Sequence, residues 1–273
     1  MFSTASIALA TGARIPQLGL GVWQTPQGAT TREAVAAALE LGYRHVDTAR
    51  VYRNEADVGA AIRASSVPRD QIFVTTKLWN EDHGYDAALR ALDASLGRLG
   101  LDYVDLYLIH WPVPERRRDS WRALERAFGD GKARAIGVSN YMARHLREVL
   151  GEAKVKPHAN QIELTPFLQR RDTVAACREH GVVVEAYSPL TRGQRLRDPI
   201  IASIAGAVGR TPAQVLLRWS IQKGNVVLPK STRRERIAEN GAVFDFALDA
   251  AQMAQLDGLE EGLATGWDPS DAP

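Results

Sequence analysis

The 273-residue sequence has one cysteine, three methionines and no real excess of charge of either sign. The lone Cys177 excludes an intrachain disulfide and fits a reducing compartment; it falls in a predicted helix over residues 173–180, where it reads as a partly buried packing residue. Lys and Arg number 34 against 32 Asp and Glu, a net charge of +2 with a sequence pI near 8.7. So small a surplus gives no electrostatic case for nucleic acid or for a membrane surface. No apolar stretch nears the ~20 residues that a membrane span needs. The N-terminus lacks a basic segment followed by an apolar core, so no signal peptide is expected and a cytoplasmic location is. The one run of like charge, Arg116-Arg117-Arg118, reads as a solvated loop. His45, His83, His145, His158 and His180 show no paired ligand spacing, and no metal site is expected.

What the chain does have is a series of short apolar runs that end in chemically able polar residues. Ile72-Phe73-Val74 leads to Lys77, and residues 104–109 lead to His110. Residues 135–138 lead to Ser139-Asn140, Val182-Val183-Val184 to Tyr187-Ser188, and Val226-Val227-Leu228 to Lys230-Ser231. A helical pattern follows each run. The predicted strand–helix units are 18–22 with 31–41, 45–47 with 55–64, 72–76 with 85–99, and 103–109 with 120–128. The later units are 135–138 with 143–150, 158–164 with 172–180, 182–187 with 199–208 and 212–223, and 226–228 with 233–240. Thr30 or Thr31 serves as the first N-cap and Gly42 as its stop. A hairpin over 6–9 and 14–18 precedes the units and suits a plug for the barrel bottom; a last helix over 249–259 follows them. Repeated units without a linker predict one domain over 1–273, an α/β (β/α)8 TIM barrel with an N-terminal β-hairpin and extra C-terminal helices. Active sites of such barrels lie at the C-terminal ends of the strands, so the polar residues named above converge on one pocket.

Asp47, Tyr52, Lys77 and His110 end strands two to four or follow them closely. Adjacent strands lie ~4.8 Å apart, so these groups can meet. An ammonium beside a tyrosine stabilises the phenolate and lowers a pKa that is otherwise about 10. An aspartate can hold the lysine charged, and a histidine can hydrogen-bond a carbonyl. The set suits proton donation to a developing alkoxide, which also requires a hydride source. Taken singly, each residue has a plainer reading: Lys77 a salt-bridge or Schiff-base lysine, Asp47 a helix cap, His110 a core histidine, Tyr52 a packed aromatic.

Gly42-Tyr43-Arg44-His45-Val46-Asp47-Thr48-Ala49, followed by Tyr52, Asn54 and Glu55, resembles the signature of the aldo-keto reductases. Leu228-Pro229-Lys230-Ser231, with Arg236 and Glu239-Asn240, resembles their C-terminal cofactor signature. Thr76-Lys77-Leu78-Trp79, Leu108-Ile109-His110-Trp111-Pro112 and Gly137-Val138-Ser139-Asn140 match as well, in order along almost the whole chain. The resemblance implies Tyr52 as general acid, Lys77 as its pKa-lowering partner, Asp47 as the partner of Lys77 and His110 as the group orienting the carbonyl. It implies Ser139, Asn140 and Gln161 on the nicotinamide amide, Tyr187 stacked on its ring, and Ser188, Pro189 and Leu190 along the pyrophosphate. Lys230, Ser231, Thr232 and Arg236 would take the adenosine 2′-phosphate, and Glu239 and Asn240 would face the adenine. Two cations, two hydroxyls and a helix N-terminus suit a dianion, which favours NADPH over NADH. Gly19-Leu20-Gly21 is followed by Val22, Trp23 and Gln24, so no Rossmann fingerprint is present.

Trp23, Trp79 and Trp111 each follow a strand end and are expected to wall a pocket for small aldehydes, ketones or dicarbonyls, with Trp267 of the tail in reach of it. Loops 112–119 and 191–198 and the tail are short, which resembles the bacterial branch with 2,5-diketo-gluconate and methylglyoxal reductases and implies a monomer. Two rivals remain: a Schiff-base aldolase on Lys77, and a cofactor-binding regulatory or structural protein. In a third variant, the double-bond reductases of the family, Glu replaces the histidine that stands here as His110.

Overall fold

The computed structural model of the protein describes residues 5–272. Strands β1 (Ser6–Ala8) and β2 (Arg14–Pro16) form an antiparallel hairpin. Eight parallel strands then follow in chain order: β3 (Leu20–Gly21), β4 (His45–Asp47), β5 (Phe73–Leu78), β6 (Leu106–Ile109), β7 (Ile136–Ser139), β8 (Ala159–Glu163), β9 (Val183–Tyr187) and β10 (Val226–Leu228). Each pairs with the next, and the ring closes where Gly19 N donates to Val227 O at 2.9 Å and Gly21 N to Pro229 O at 3.0 Å. Around it lie α1 (Ala29–Leu41), α2 (Glu55–Ala64), α3 (Tyr85–Leu99), α4 (Arg117–Gly129), α5 (Ala143–Glu152), α6 (Arg171–Glu179), α7 (Pro199–Val208), α8 (Pro212–Gln222), α9 (Arg234–Gly241) and α10 (Ala250–Asp257). This is the (β/α)8 barrel expected from the alternation of units.

Strand side chains alternate between two faces, which yields two apolar layers. Inside the barrel Phe73, Leu106, Leu108, Ala159, Val226 and Leu228 pack together, and Leu9 and Ile15 of the hairpin region join them. The hairpin therefore stoppers the N-terminal end. The outer strand faces, including Val46, Val74, Val138 and Ile162, meet Val35, Leu92, Leu124 and Leu216 from the helices. Among the described residues no single helix is long and apolar enough to cross a membrane; the apolar pair α7 and α8 is bent by 87° at the break between them.

Several boundaries differ from expectation for physical reasons. Helix α1 starts at Ala29 after Gly28, whose φ of 88° suits only glycine comfortably, and no threonine caps it. Asp57 of α2 accepts from Gly28 N at 2.7 Å, while the Thr31 hydroxyl is buried and donates to Pro26 O. The arginine triplet is not a loop: Arg117 and Arg118 open α4 and pair with Glu148 and Glu152 of α5. Strand β5 extends through Lys77 and Leu78 because both pair with β6, at Leu108 and Ile109. Cys177 is fully buried and packs in the outer core.

One glycine marks a close approach that the helical ring depends on. In α2, a Cβ at Gly59 would lie 1.9 Å from the Leu99 carbonyl oxygen at the end of α3. Gly59→Ala should therefore destabilise the protein by about 1–3 kcal/mol or more through overpacking, where an exposed helical site would gain from alanine. Urea unfolding checks this; an unchanged or raised midpoint would contradict the close packing.

Candidate active site

A cavity of about 650 Å³ opens at the C-terminal end of the strands. Its lining includes Asp47, Tyr52, His110, Ser139, Asn140, Gln161 and Tyr187, along with Trp23, Trp79, Trp111 and Trp267. Seven different strands or the loops after them supply all of these residues except Trp267, which comes from the tail, as the convergence of strand ends predicted.

Beneath the cavity floor sits Lys77, 1% exposed. Its Nζ donates to Asp47 Oδ1 at 2.7 Å, Asp47 Oδ2 at 2.8 Å and Thr48 O at 2.9 Å, and lies 3.2 Å from Tyr52 Oη. Burial works against the ammonium, but the Asp47 charge and Tyr52 more than compensate, and the Lys77 pKa is raised. A lysine held charged and saturated with oxygen acceptors is no amine nucleophile, which removes the Schiff-base reading.

Tyr52 refines the expectation made from sequence. Burial raises the phenol pKa and outweighs the lowering by Lys77. Tyr52 therefore carries its proton at neutral pH, and the ammonium reduces the cost of giving it up. Burial and Lys77 both push His110 well below the usual imidazole range, so the ring is neutral. Among the described residues its Nδ1 is buried without a hydrogen-bond partner, and the single proton of the neutral ring can sit on either nitrogen. The Tyr52 and His110 ring centroids are 5.8 Å apart and edge-to-face.

A second network joins the strands opposite. Tyr187 Oη donates to Asn140 Oδ1 at 2.8 Å, Asn140 Nδ2 to His110 O at 3.0 Å, and Ser139 Oγ to Gln161 O at 2.9 Å. Asn140 and Ser188 hold φ of 62° and 47°, left-handed conformations that non-glycine residues keep only when the surroundings impose them. Gln161 also reaches across the barrel, its Nε2 donating to Asp47 Oδ2 at 2.8 Å.

Further along the rim, Ser188, Pro189, Leu190, Lys230 and Arg236 line the same cavity. Lys230 and Arg236 form no ion pair among the described residues. Ser231 Oγ accepts from Arg233 N within its own turn, and Thr232 is exposed beside it. Glu239 faces α8 instead of the cavity: its carboxylate accepts from Thr211 Oγ1 at 2.6 Å, and Asn240 behind it is buried. Trp267 reaches the pocket and packs against Trp111, centroids 4.6 Å apart. Its segment is tied down by Glu163, which accepts from Thr265 N, and by an Arg170–Asp268 pair. Sequence reading missed Arg192, whose guanidinium lies 4.6 Å over the Trp23 ring, because nothing local distinguishes it from a loop arginine. Among the described residues no group of three or more His, Cys, Asp or Glu is arranged to hold a metal ion.

Fold and cavity define the class: a (β/α)8 barrel with a small-molecule site at its C-terminal rim. Residues 17–261 match the Aldo/keto reductase family, and the chain belongs to that family. It is 52% identical over 265 residues to an aldo-keto reductase of Mycolicibacterium smegmatis, covering 96% of each chain. It is 44% identical over 266 residues to the glyoxal reductase of Bacillus subtilis, covering 97% of this chain and 96% of that one. A crystal structure of an aldo-keto reductase from a Medee basin deep-sea metagenome library superposes with a TM-score of 0.95 at 41% identity, covering 98% of this chain and 100% of that one.

Removing one partner of a buried ion pair strands the other. Lys77→Met should cost about 3–5 kcal/mol in urea unfolding, and adding Asp47→Asn should recover part of the loss. A single variant as stable as the unmodified protein would contradict the charged, paired state of Lys77.

Proposed function

We propose that the protein is an NADPH-dependent carbonyl reductase that converts small aldehydes, ketones or dicarbonyls to alcohols. The observation that carries this reading is the Lys77 ammonium bound to Asp47 and in contact with the Tyr52 hydroxyl under the cavity floor. A reduced nicotinamide dinucleotide supplies a hydride when bound.

The residues of this chain account for the rest. The neutral His110 and the protonated Tyr52 both face the cavity and can donate to one carbonyl oxygen. As negative charge grows on that oxygen, Tyr52 transfers its proton, and the Lys77 ammonium stabilises the phenolate left behind. Trp23, Trp79 and Trp111 shield the centre from water. Polar groups of Ser139, Asn140 and Gln161 suit a carboxamide, and Tyr187 suits a flat ring. Unpaired Lys230 and Arg236, with Ser231 and Thr232 at the start of α9, fit a 2′-phosphate, which supports NADPH over NADH. Glu239 is held by Thr211, which leaves Asn240 and the backbone of α9 as the nearer candidates for the adenine side. One fully buried cysteine, its thiol pushed up to about 11 by burial, is compatible with the cytoplasmic, monomeric enzyme we infer.

Consumption of NADPH and, separately, NADH with methylglyoxal, phenylglyoxal, simple aldehydes and diketo sugars tests the reading. Tyr52→Phe should lower turnover by about 10²–10⁴-fold while NADPH still binds, read by fluorescence titration. Turnover undiminished in that variant would remove Tyr52 as proton donor.

Lys230→Ala with Arg236→Ala should weaken NADPH by about ten- to a hundredfold, the loss of charge-assisted bonds worth about 1.5–3 kcal/mol. NADH affinity should change little. Equal weakening of both cofactors would refute the 2′-phosphate assignment.

A further inference from the structure

The proton-donor network leaves one ionisable group in the barrel interior unexplained. Glu185 of β9 is 0% exposed and sits directly beside Gln161 of β8 in the strand register. Gln161 Nε2, already bound to Asp47 Oδ2 at 2.8 Å, also approaches Glu185 Oε2 at 3.4 Å. On the far side, His45 Nε2 of β4 is 3.8 Å from Glu185 Oε1, beyond hydrogen-bond range, and engages Thr75 Oγ1 of β5 at 3.1 Å instead. Among the described residues Glu185 Oε1 has no hydrogen-bond partner. From β10 the register neighbour is Val226, which brings no polar side chain. The groups that can charge near Glu185 are thus His45 and Asp47 on β4, Lys77 on β5 and, beyond Lys77, Tyr52.

Lys77 and Asp47 already cancel one another. A second carboxylate below them would be an unpaired charge in a dry interior, whereas a carboxylic acid needs no counterion. Burial and the Asp47 charge push Glu185 up to about 8, and burial takes His45 down to about 4, so both are neutral at pH 7.

Building on the carbonyl-reductase reading, we propose that Glu185 is a positioning residue for the proton donor. As a neutral acid it holds the Gln161 amide nitrogen against Asp47 and keeps the Asp47–Lys77–Tyr52 chain in charge balance. The Gln161 oxygen, without a partner among the described residues, is then left for the cavity. Ionising Glu185 adds a negative charge close to the site where the Tyr52 phenolate must form, and so weakens Tyr52 as an acid.

Two readouts test this on the intact protein. In the first, kcat for carbonyl reduction falls as pH rises past about 8, and Glu185→Gln, which keeps the shape of the neutral acid, loses that falling limb. Glu185→Ala lowers kcat roughly tenfold with little change in KM for the carbonyl, and the glutamine variant recovers most of the loss. A limb missing from the unmodified protein, or retained unchanged in Glu185→Gln, overturns the proposal. The second readout needs no turnover. A carboxyl raised from an unfolded value of about 4.3 contributes stability that is full below that pH and lost as pH rises through the folded value. The unmodified protein should lose urea stability progressively as pH rises from about 4.3 to about 8, with little further loss above, and Glu185→Gln should lose less. Equal losses overturn the neutral state of Glu185. Absence of any carbonyl turnover, with the stability difference present, would refute the carbonyl-reductase reading and leave Glu185 assigned as a buried neutral acid.

Discussion

A single ammonium buried in the barrel sets the terms for everything around it. Lys77 lies one residue before the end of β5, where its backbone is fixed by pairing with β6. Desolvation of its charge is tolerable only because Asp47 and a backbone carbonyl surround it. That demand places Asp47 at the end of the adjoining strand and sets the Thr48 carbonyl beside it. It brings Tyr52 into contact through the short turn that follows β4. Burial, together with the same charge, keeps His110 neutral. The Asp47 carboxylate, the Tyr52 phenol and the neutral His110 ring are arranged around one positive charge that has no access to water.

The rest of the cavity is organised by backbone more than by charge. Left-handed conformations at Asn140 and Ser188 turn the chain sharply at the ends of β7 and β9. Those turns let side chains from successive strands hydrogen-bond one another across the rim. On the open side the walls are aromatic and held from outside: Arg192 lies over Trp23, and the tail is pinned by Glu163, Arg144 and Arg170 so that Trp267 leans on Trp111. The polar floor of the cavity rests on rigid strands, while its aromatic wall rests on loops and tail.

Much of this was legible from residues alone, for identifiable reasons. Helices α2, α3 and α7 carry their limits locally, in apolar spacing and in a proline behind the capping Asp198. The clustering of Asp47, Tyr52, Lys77 and His110 was legible because polar residues end apolar runs, a pattern that the C-terminal end of a barrel imposes. Glu185 was not, since a glutamate within Val183–Tyr187 looks like an outward residue until the register puts it beside Gln161. Lys77 was likewise expected past the strand end, because a lysine inside a strand buried on both faces contradicts local preference. Arg117 and Arg118 read as loop because their partners, Glu148 and Glu152, lie on the next helix. Long-range pairing decides each of these, and the sequence pattern carries no long-range term.

The ring closure has a consequence for when the molecule becomes competent. Asp47, Tyr52, Lys77 and His110 lie between positions 47 and 110, and the cationic rim lies at positions 230 to 236, beyond the last strand. The hydrogen bonds from Gly19 and Gly21 to Val227 and Pro229, together with the Tyr43–Ile237 hydrogen bond and the Arg234–Glu40 ion pair, bring these two ends of the chain together. A partly synthesised or partly folded chain can hold the acid half of the site but has no second wall against which two reactants could be placed. On the proposed reading, the two halves of the site face each other only in the completed ring.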